Sequence, residues 1–178
     1  SGFGGNVVLK STKNIIDSTV SFKAGALTTD EIEYKIDATG TDTLVSEGIE
    51  ILDLDVDKDA TINFASATGI KTIDVDIATT KTLVLDKLTG SENVLITAAA
   101  TNSGTVEAKL ASTASTTDSI SFELKGASAA AIADTTALKT TDINNVTVKV
   151  TTTAETVDLS NLSMSLASDV MTLNTTGT

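Results

Sequence analysis

Gly48-Ile49-Glu50-Ile51-Leu52-Asp53-Leu54-Asp55-Val56 returns as Gly69-Ile70-Lys71-Thr72-Ile73-Asp74-Val75-Asp76-Ile77. The step is 21 residues, and an eroded third copy, Gly90-Ser91-Glu92-Asn93-Val94-Leu95-Ile96-Thr97-Ala98, follows at the same step. Glycine opens each copy. The triplets Leu52/Leu54/Val56, Ile73/Val75/Ile77 and Val94/Ile96/Ala98 hold equivalent places. Apolar and polar residues alternate within each triplet, which is the period of a strand buried on one face. A constant step of this length marks a chain built by stacking similar units.

The pattern continues outward with slips. Ile32/Tyr34/Ile36 precedes the Leu52 triplet by 20 residues, Ile120/Phe122/Leu124 follows Val94 by 26, Val146/Val148/Val150 follows by another 26, and Met171/Leu173 comes 25 later. Ten to 12 residues after a first strand comes a second, at Ile62/Phe64, Leu83/Leu85, Val106/Ala108/Leu110 and Val157/Leu159, with a shorter one at Leu44-Val45. Asp, Lys, Thr, Ser, Gly and Asn, the turn formers, lie between them.

This spacing predicts an all-β chain folded as a parallel β-solenoid (β-helix) with coils of about 20–26 residues. Each strand would pair with its copy one turn on, about 4.8 Å away. An antiparallel β-sandwich is the alternative. It demands no fixed offset, and a meander would be expected to use Asn-Gly or Asp-Gly hairpins, which do not occur in the chain. Residues 1–30 read as an irregular N-terminal coil or connection, with Val7/Leu9 and Val20/Phe22 as its strands. Residues 31–178 read as the solenoid, with an Ala-rich insertion near 127–137 that forms a short helix or a bulged loop.

Composition narrows the function. The 178 residues are 40% hydrophobic, which argues against disorder, yet only 3% aromatic, so Val, Ile, Leu and Ala must fill the core. The chain has no Cys, His, Trp, Pro, Arg or Gln. Without His or Cys the usual general base and activated nucleophile are missing, so an enzyme is not expected. Net charge is −12 with 12 lysines, which argues against nucleic acid and anionic membranes as partners. No apolar run has the length of a membrane span. Ser1-Gly2-Phe3-Gly4-Gly5 lacks the features of a secretory signal, which points to a fragment or to an export signal elsewhere.

If coils stack, Asp53 lies beside Asp74 and Asp55 beside Asp76. Like charges about 4.8 Å apart repel by about 1 kcal/mol in water and about 3 kcal/mol at an effective dielectric of 20. A Ca²⁺ ion would reverse that sign, and Lys71 is a second candidate neutraliser. Gly40-Thr41-Asp42-Thr43-Leu44 matches the second half of the G-G-x-G-x-D-x-U-x nonapeptide whose turns ligate Ca²⁺. The candidate metal ligands are therefore Asp42, Asp53, Asp55, Asp74 and Asp76. Asp55-Val56-Asp57-Lys58-Asp59 opens like an EF-hand loop, but Ala60 and Ser66 stand where Gly and Glu are required.

The phrases Gly40-Thr41-Asp42-Thr43-Leu44, Gly48-Ile49-Glu50-Ile51-Leu52-Asp53-Leu54 and Gly69-Ile70-Lys71-Thr72-Ile73-Asp74-Val75 resemble bacterial surface-layer (S-layer) proteins. The likeness is to the type I secreted, RTX-like kind of Campylobacter and Caulobacter. It implies a structural segment of an extracellular protein on the cell surface that self-assembles into a lattice of its own copies, often with Ca²⁺. Cell-surface polysaccharide is a further implied partner. The alternative is a stalk or binding module of a large secreted adhesin.

Overall fold

The computed structural model describes residues 7–14, 21–25, 29–78, 80–97, 104–112, 118–125, 137–141, 143–151, 163 and 170–176. All regular structure among them is strand. In chain order the strands are β1 (Val8–Ser11), β2 (Ser21–Lys23), β3 (Glu31–Ile36), β4 (Gly40–Glu47), β5 (Ile51–Val56), β6 (Ala60–Thr68), β7 (Thr72–Ile77), β8 (Thr82–Leu88), β9 (Asn93–Thr97), β10 (Thr105–Leu110), β11 (Ser119–Lys125), β12 (Ala137–Thr141), β13 (Asn145–Thr151) and β14 (Val170–Thr176).

They form two wholly parallel sheets. The first has the order β1-β3-β5-β7-β9-β11-β13-β14, the second β12-β10-β8-β6-β4-β2. From β1 to β13 successive strands go to alternate sheets, β14 rejoins the first sheet beside β13, and each strand pairs with the one a coil away. That is a parallel β-solenoid, not an antiparallel sandwich. Leu54 pairs with Val75, and Val75 with Ile96. β1 and β2, inside the first 30 residues, extend the two sheets by pairing with β3 and β4.

The register explains the alternation. Odd and even positions face opposite ways, so the inward residues build ladders through the stack. One ladder runs Leu9, Ile32, Leu52, Ile73, Val94, Phe122, Val148, Leu173. Its members from Ile32 to Val148 are buried. Each fully buried aliphatic side chain contributes about 1.5–3 kcal/mol. A one-residue slip would turn all of them to water, which fixes the pairing.

One step differs from the sequence spacing. Val94 pairs with Phe122, not Ile120, so this coil is 28 residues long rather than 26. A slip of two keeps every side chain on its own face and therefore costs no burial.

Glycine makes the corner before the first-sheet strands. Gly48, Gly69 and Gly90 have φ of 71°, 96° and 87°, where a Cβ is disfavoured. The turn drives Ile49 and Ile70 into the core. Backbone bonds then tie corner to corner: the Lys71 and Thr72 amides both donate to the Glu50 carbonyl, at 2.8 and 3.0 Å. In the third copy Ser91 replaces the isoleucine. Buried Glu92 holds the corner there, accepting from the Thr89 amide (3.1 Å), the Thr89 hydroxyl (2.8 Å) and the Gly90 amide (2.9 Å).

The second sheet is less regular. β6 carries one extra residue against β4, where Asn63 Oδ1 accepts from the Ala65 amide at 2.9 Å. β8 carries one extra against β10, at Asp86-Lys87, with Lys87 at φ 66°. Such bulges bend a strand and let it turn a corner of the coil. β12 was not anticipated from the sequence. It sits where the Ala-rich insertion ends, 32 residues after its partner β10. Residues 127–136, and the expected strand at Val157/Leu159, lie outside the described residues.

A carboxylate ladder as candidate cation site

The outward positions of the first sheet also form ladders. One runs Lys10, Glu33, Asp53, Asp74, Leu95, Glu123, Lys149, Asn174. Beside it Lys35 pairs in register with Asp55, and Asp55 with Asp76. The repeat therefore does stack Asp53 on Asp74 and Asp55 on Asp76. Asp53 and Asp74 are half-buried, whereas Asp55 and Asp76 are exposed.

The two pairs are neutralised differently. Lys35 Nζ lies 3.0 Å from Asp55 Oδ2 and 2.6 Å from Asp57 Oδ2. Those carboxylates hold the Lys35 ammonium well above its ordinary pKa. The chain thus supplies its own cation on the Asp55 side. That cation is Lys35, on the preceding coil, rather than Lys71.

The Asp53 side gathers negative charge instead. Carboxylate oxygens of Glu31, Glu33 and Asp53 lie within 4.8 Å of one another, a group that can hold a metal ion. Glu33 also pairs with Lys10. Burial, then the charges of Asp74, Glu33 and Glu31, push the Asp53 carboxyl up to about 6. Burial raises Asp74 as well, partly offset by Thr97 Oγ1, which donates to both of its oxygens at 3.0 and 3.1 Å. Asp76, though exposed, is raised by partial desolvation against the sheet and then by Asp55 and Asp57.

Glu31 and Glu33 were not among the sequence-derived candidates. Their signal was available, because they flank Ile32 and Tyr34 at outward positions 20 residues before Ile51 and Asp53. Asp42 does not join the group. It lies in β4, in the other sheet, in register with inward-facing Ile62, and Asn14 Nδ2 donates to its Oδ2 at 2.6 Å. Across the interior, Tyr34 is buried with no hydrogen-bond partner for its hydroxyl. Burial and then the Asp42 charge hold that phenol well above its usual pKa.

At the far end of the outward ladder the balance reverses. Burial alone would raise the Glu123 carboxyl. Lys149 Nζ (3.1 Å), Thr151 Oγ1 (3.0 Å) and Asn93 Nδ2 (3.3 Å) outweigh it and hold Glu123 below the usual range.

These shifts set a pH dependence. A carboxyl whose pKa is raised by folding takes up its proton in the native state first. Stability then rises as pH falls through that value, and the gain is complete near the unfolded value of about 4. Between pH 7 and pH 5 the protein should gain roughly a few tenths of a kcal/mol from Asp53, water around this half-exposed group screening most of the nominal effect. Below about pH 4 the Glu123 contribution is lost, so stability peaks in between. Asp53→Asn should raise the melting temperature at pH 7 and flatten the profile from pH 7 to 5. Calorimetry across that range checks both, and a wild-type stability that falls on acidification to pH 5 contradicts them.

Among the described residues no helix is long and apolar enough to cross a membrane. Compared with known protein families, curated proteins and solved structures, the chain matches none.

Proposed function

We propose that the chain is a structural segment of a secreted bacterial surface-layer protein, assembling with copies of itself outside the cell. It has no catalytic role in this reading. The observation that carries it is the placement of acidic charge in ladders on one face of a uniform stack. Asp53, Asp74 and Asp76 give copies a repulsive flank, and Glu31, Glu33 and Asp53 offer oxygens that suit Ca²⁺. Ca²⁺ takes six to eight oxygen ligands, so a three-carboxylate group on one copy leaves positions for water or for a neighbour's oxygens. Such a site is open by construction and suits bridging between subunits. The resemblance of the Gly40, Gly48 and Gly69 phrases to surface-layer proteins points the same way.

A second reading, a stalk or binding module of an adhesin, is favoured by one feature of the other sheet. A shallow groove of about 320 Å³ is lined by Thr39, Thr41, Thr61 and Thr82 together with Asp59. Hydroxyls and a carboxylate in an open groove suit a polysaccharide strand.

Sedimentation with Ca²⁺, against NaCl of equal ionic strength, separates these readings from simple screening. The lattice reading expects association with Ca²⁺ that NaCl does not reproduce and that Glu33→Gln/Asp53→Asn weakens at least tenfold in Ca²⁺ requirement. A chain that stays monomeric in Ca²⁺ at high concentration and binds an immobilised polysaccharide instead would favour the adhesin.

A further inference from the structure

We propose that the cleft between the second and third glycine corners is a binding site for a small organic anion, a carboxylate carrying a short branched aliphatic tail. This site needs neither Ca²⁺ nor a second copy of the chain.

The cleft lies where the repeat erodes. Gly48-Ile49-Glu50 and Gly69-Ile70-Lys71 place an isoleucine after the corner glycine, and both isoleucines are buried. The third corner reads Gly90-Ser91-Glu92, and Ser91 is exposed. All three glycines keep a positive φ, so the corner is retained while its apolar plug is lost. The backbone opens at the same place. The Glu50 and Lys71 amides donate one coil back, to the Asp30 carbonyl at 3.0 Å and the Glu50 carbonyl at 2.8 Å. Among the described residues the Glu92 amide makes no such bond, and pairing resumes with the Asn93 amide on the Lys71 carbonyl at 2.8 Å. The resulting cleft has a volume of about 310 Å³. Pockets for small molecules span about 300–1,000 Å³, so this one suits a small ligand.

The lining sets the chemistry of that ligand. Phe64, Ala67 and Ile70 supply apolar surface. Most polar groups around them are already engaged. Thr68 Oγ1 donates to the Ser46 carbonyl at 3.2 Å, and Thr89 Oγ1 and Ser91 Oγ lie 2.7 Å apart. A sugar, which must bond many hydroxyls at once, finds few free partners here. Lys71 is different. It lines the cleft, is exposed, and has no ion-pair partner among the described residues. The carboxylates one coil to either side, Glu50 and Glu92, are buried and engaged by amides: Glu50 by Asp30 at 3.1 Å, Glu92 by Thr89 and Gly90. An unpaired cation beside an apolar floor is complementary to an anion with an apolar tail. The tail takes the room left by the missing isoleucine, and the carboxylate meets the Lys71 ammonium in a charge-assisted contact.

Isocaproate is the probe, with acetate as the control without a tail and isocaproamide as the control without a charge. In amide chemical-shift titrations of the isotope-labelled chain, isocaproate should perturb residues 67–71 and 89–92 with a dissociation constant on the order of 1 mM. Acetate and isocaproamide should each bind roughly tenfold more weakly or worse. Lys71→Gln, at an exposed position, should keep the fold and reduce isocaproate to the level of the amide. Ser91→Ile restores the residue of the first two corners and should abolish binding while raising the melting temperature. No saturable shift at these residues overturns the proposal. So does acetate or isocaproamide binding as tightly as isocaproate, or isocaproate affinity unchanged in Lys71→Gln.

Discussion

Val75→Asp is expected to abolish the fold of the central coils. Val75 is fully buried between Leu54 on β5 and Ile96 on β9. An ionised carboxylate there has no partner, and an unpaired buried charge costs about 3–5 kcal/mol or drives its own protonation. The total stability of a domain is only about 5–15 kcal/mol. In a stacked repeat each coil is held mainly by its two neighbours, so the loss falls on β5, β7 and β9 together. Val84→Asp is the matched control. Val84 sits on β8 at a half-buried, outward position in register with Thr61, and should lose about 1 kcal/mol or less. Urea titration followed by circular dichroism reads both. Equal tolerance of the two substitutions would contradict the assignment of faces.

Gly90→Ala should cost about 2–3 kcal/mol, while Gly40→Ala should be close to neutral. Gly90 has φ of 87°, and a Cβ added there would lie 2.8 Å from the Ser119 carbonyl oxygen. Left-handed strain alone amounts to about 1–2 kcal/mol for an L-residue, and a backbone oxygen cannot move aside as a side chain could. Gly40 opens β4 with nothing within 4 Å of the added Cβ and no unusual φ. Removing glycine there restricts the unfolded chain and can stabilise by a few tenths of a kcal/mol. The contrast isolates corner geometry from glycine content. Comparable losses at both sites would show that the corner conformation is not what holds the coils at their spacing.

The first sheet was legible in the sequence for two reasons that act together. Alternation fixes which face of each strand is buried, and the glycines at 48, 69 and 90 mark where β5, β7 and β9 begin. Ile32, Leu52, Ile73 and Val94 could therefore be placed one above another before any coordinates. Beyond Val94 the glycine marker is missing. Alternation alone is blind to a shift of two, and Phe122 rather than Ile120 took the next place in the ladder. β12 escaped because Ala137-Leu138-Lys139-Thr140-Thr141 offers one large apolar residue, and its alanine-rich approach reads as helix on local propensity.

The acidic site was legible in part. The Asp53/Asp74 and Asp55/Asp76 pairs follow directly from the repeat. The companions that decide their chemistry do not, because they come from the coil before it. Glu31 and Glu33 add charge to Asp53, Lys35 removes it from Asp55, and neither effect is visible within the repeated unit. Asp42 was drawn in by a half-motif. Its register beside Ile62 turns it toward the interior, away from the outward carboxylates.

Neighbouring first-sheet strands lie one coil apart. Pairs of spin labels on introduced cysteines at outward ladder positions measure that spacing directly, in a background free of native cysteine. From Glu33 to Asn174 the ladder has six steps, through Asp53, Asp74, Leu95, Glu123 and Lys149. At about 4.8 Å per step the backbone separation should be about 29 Å, with Glu33 to Lys149 about 5 Å shorter. A separation near twice that, or one that does not grow step by step along the ladder, would mean that second strands intervene between first strands, and the solenoid would be refuted.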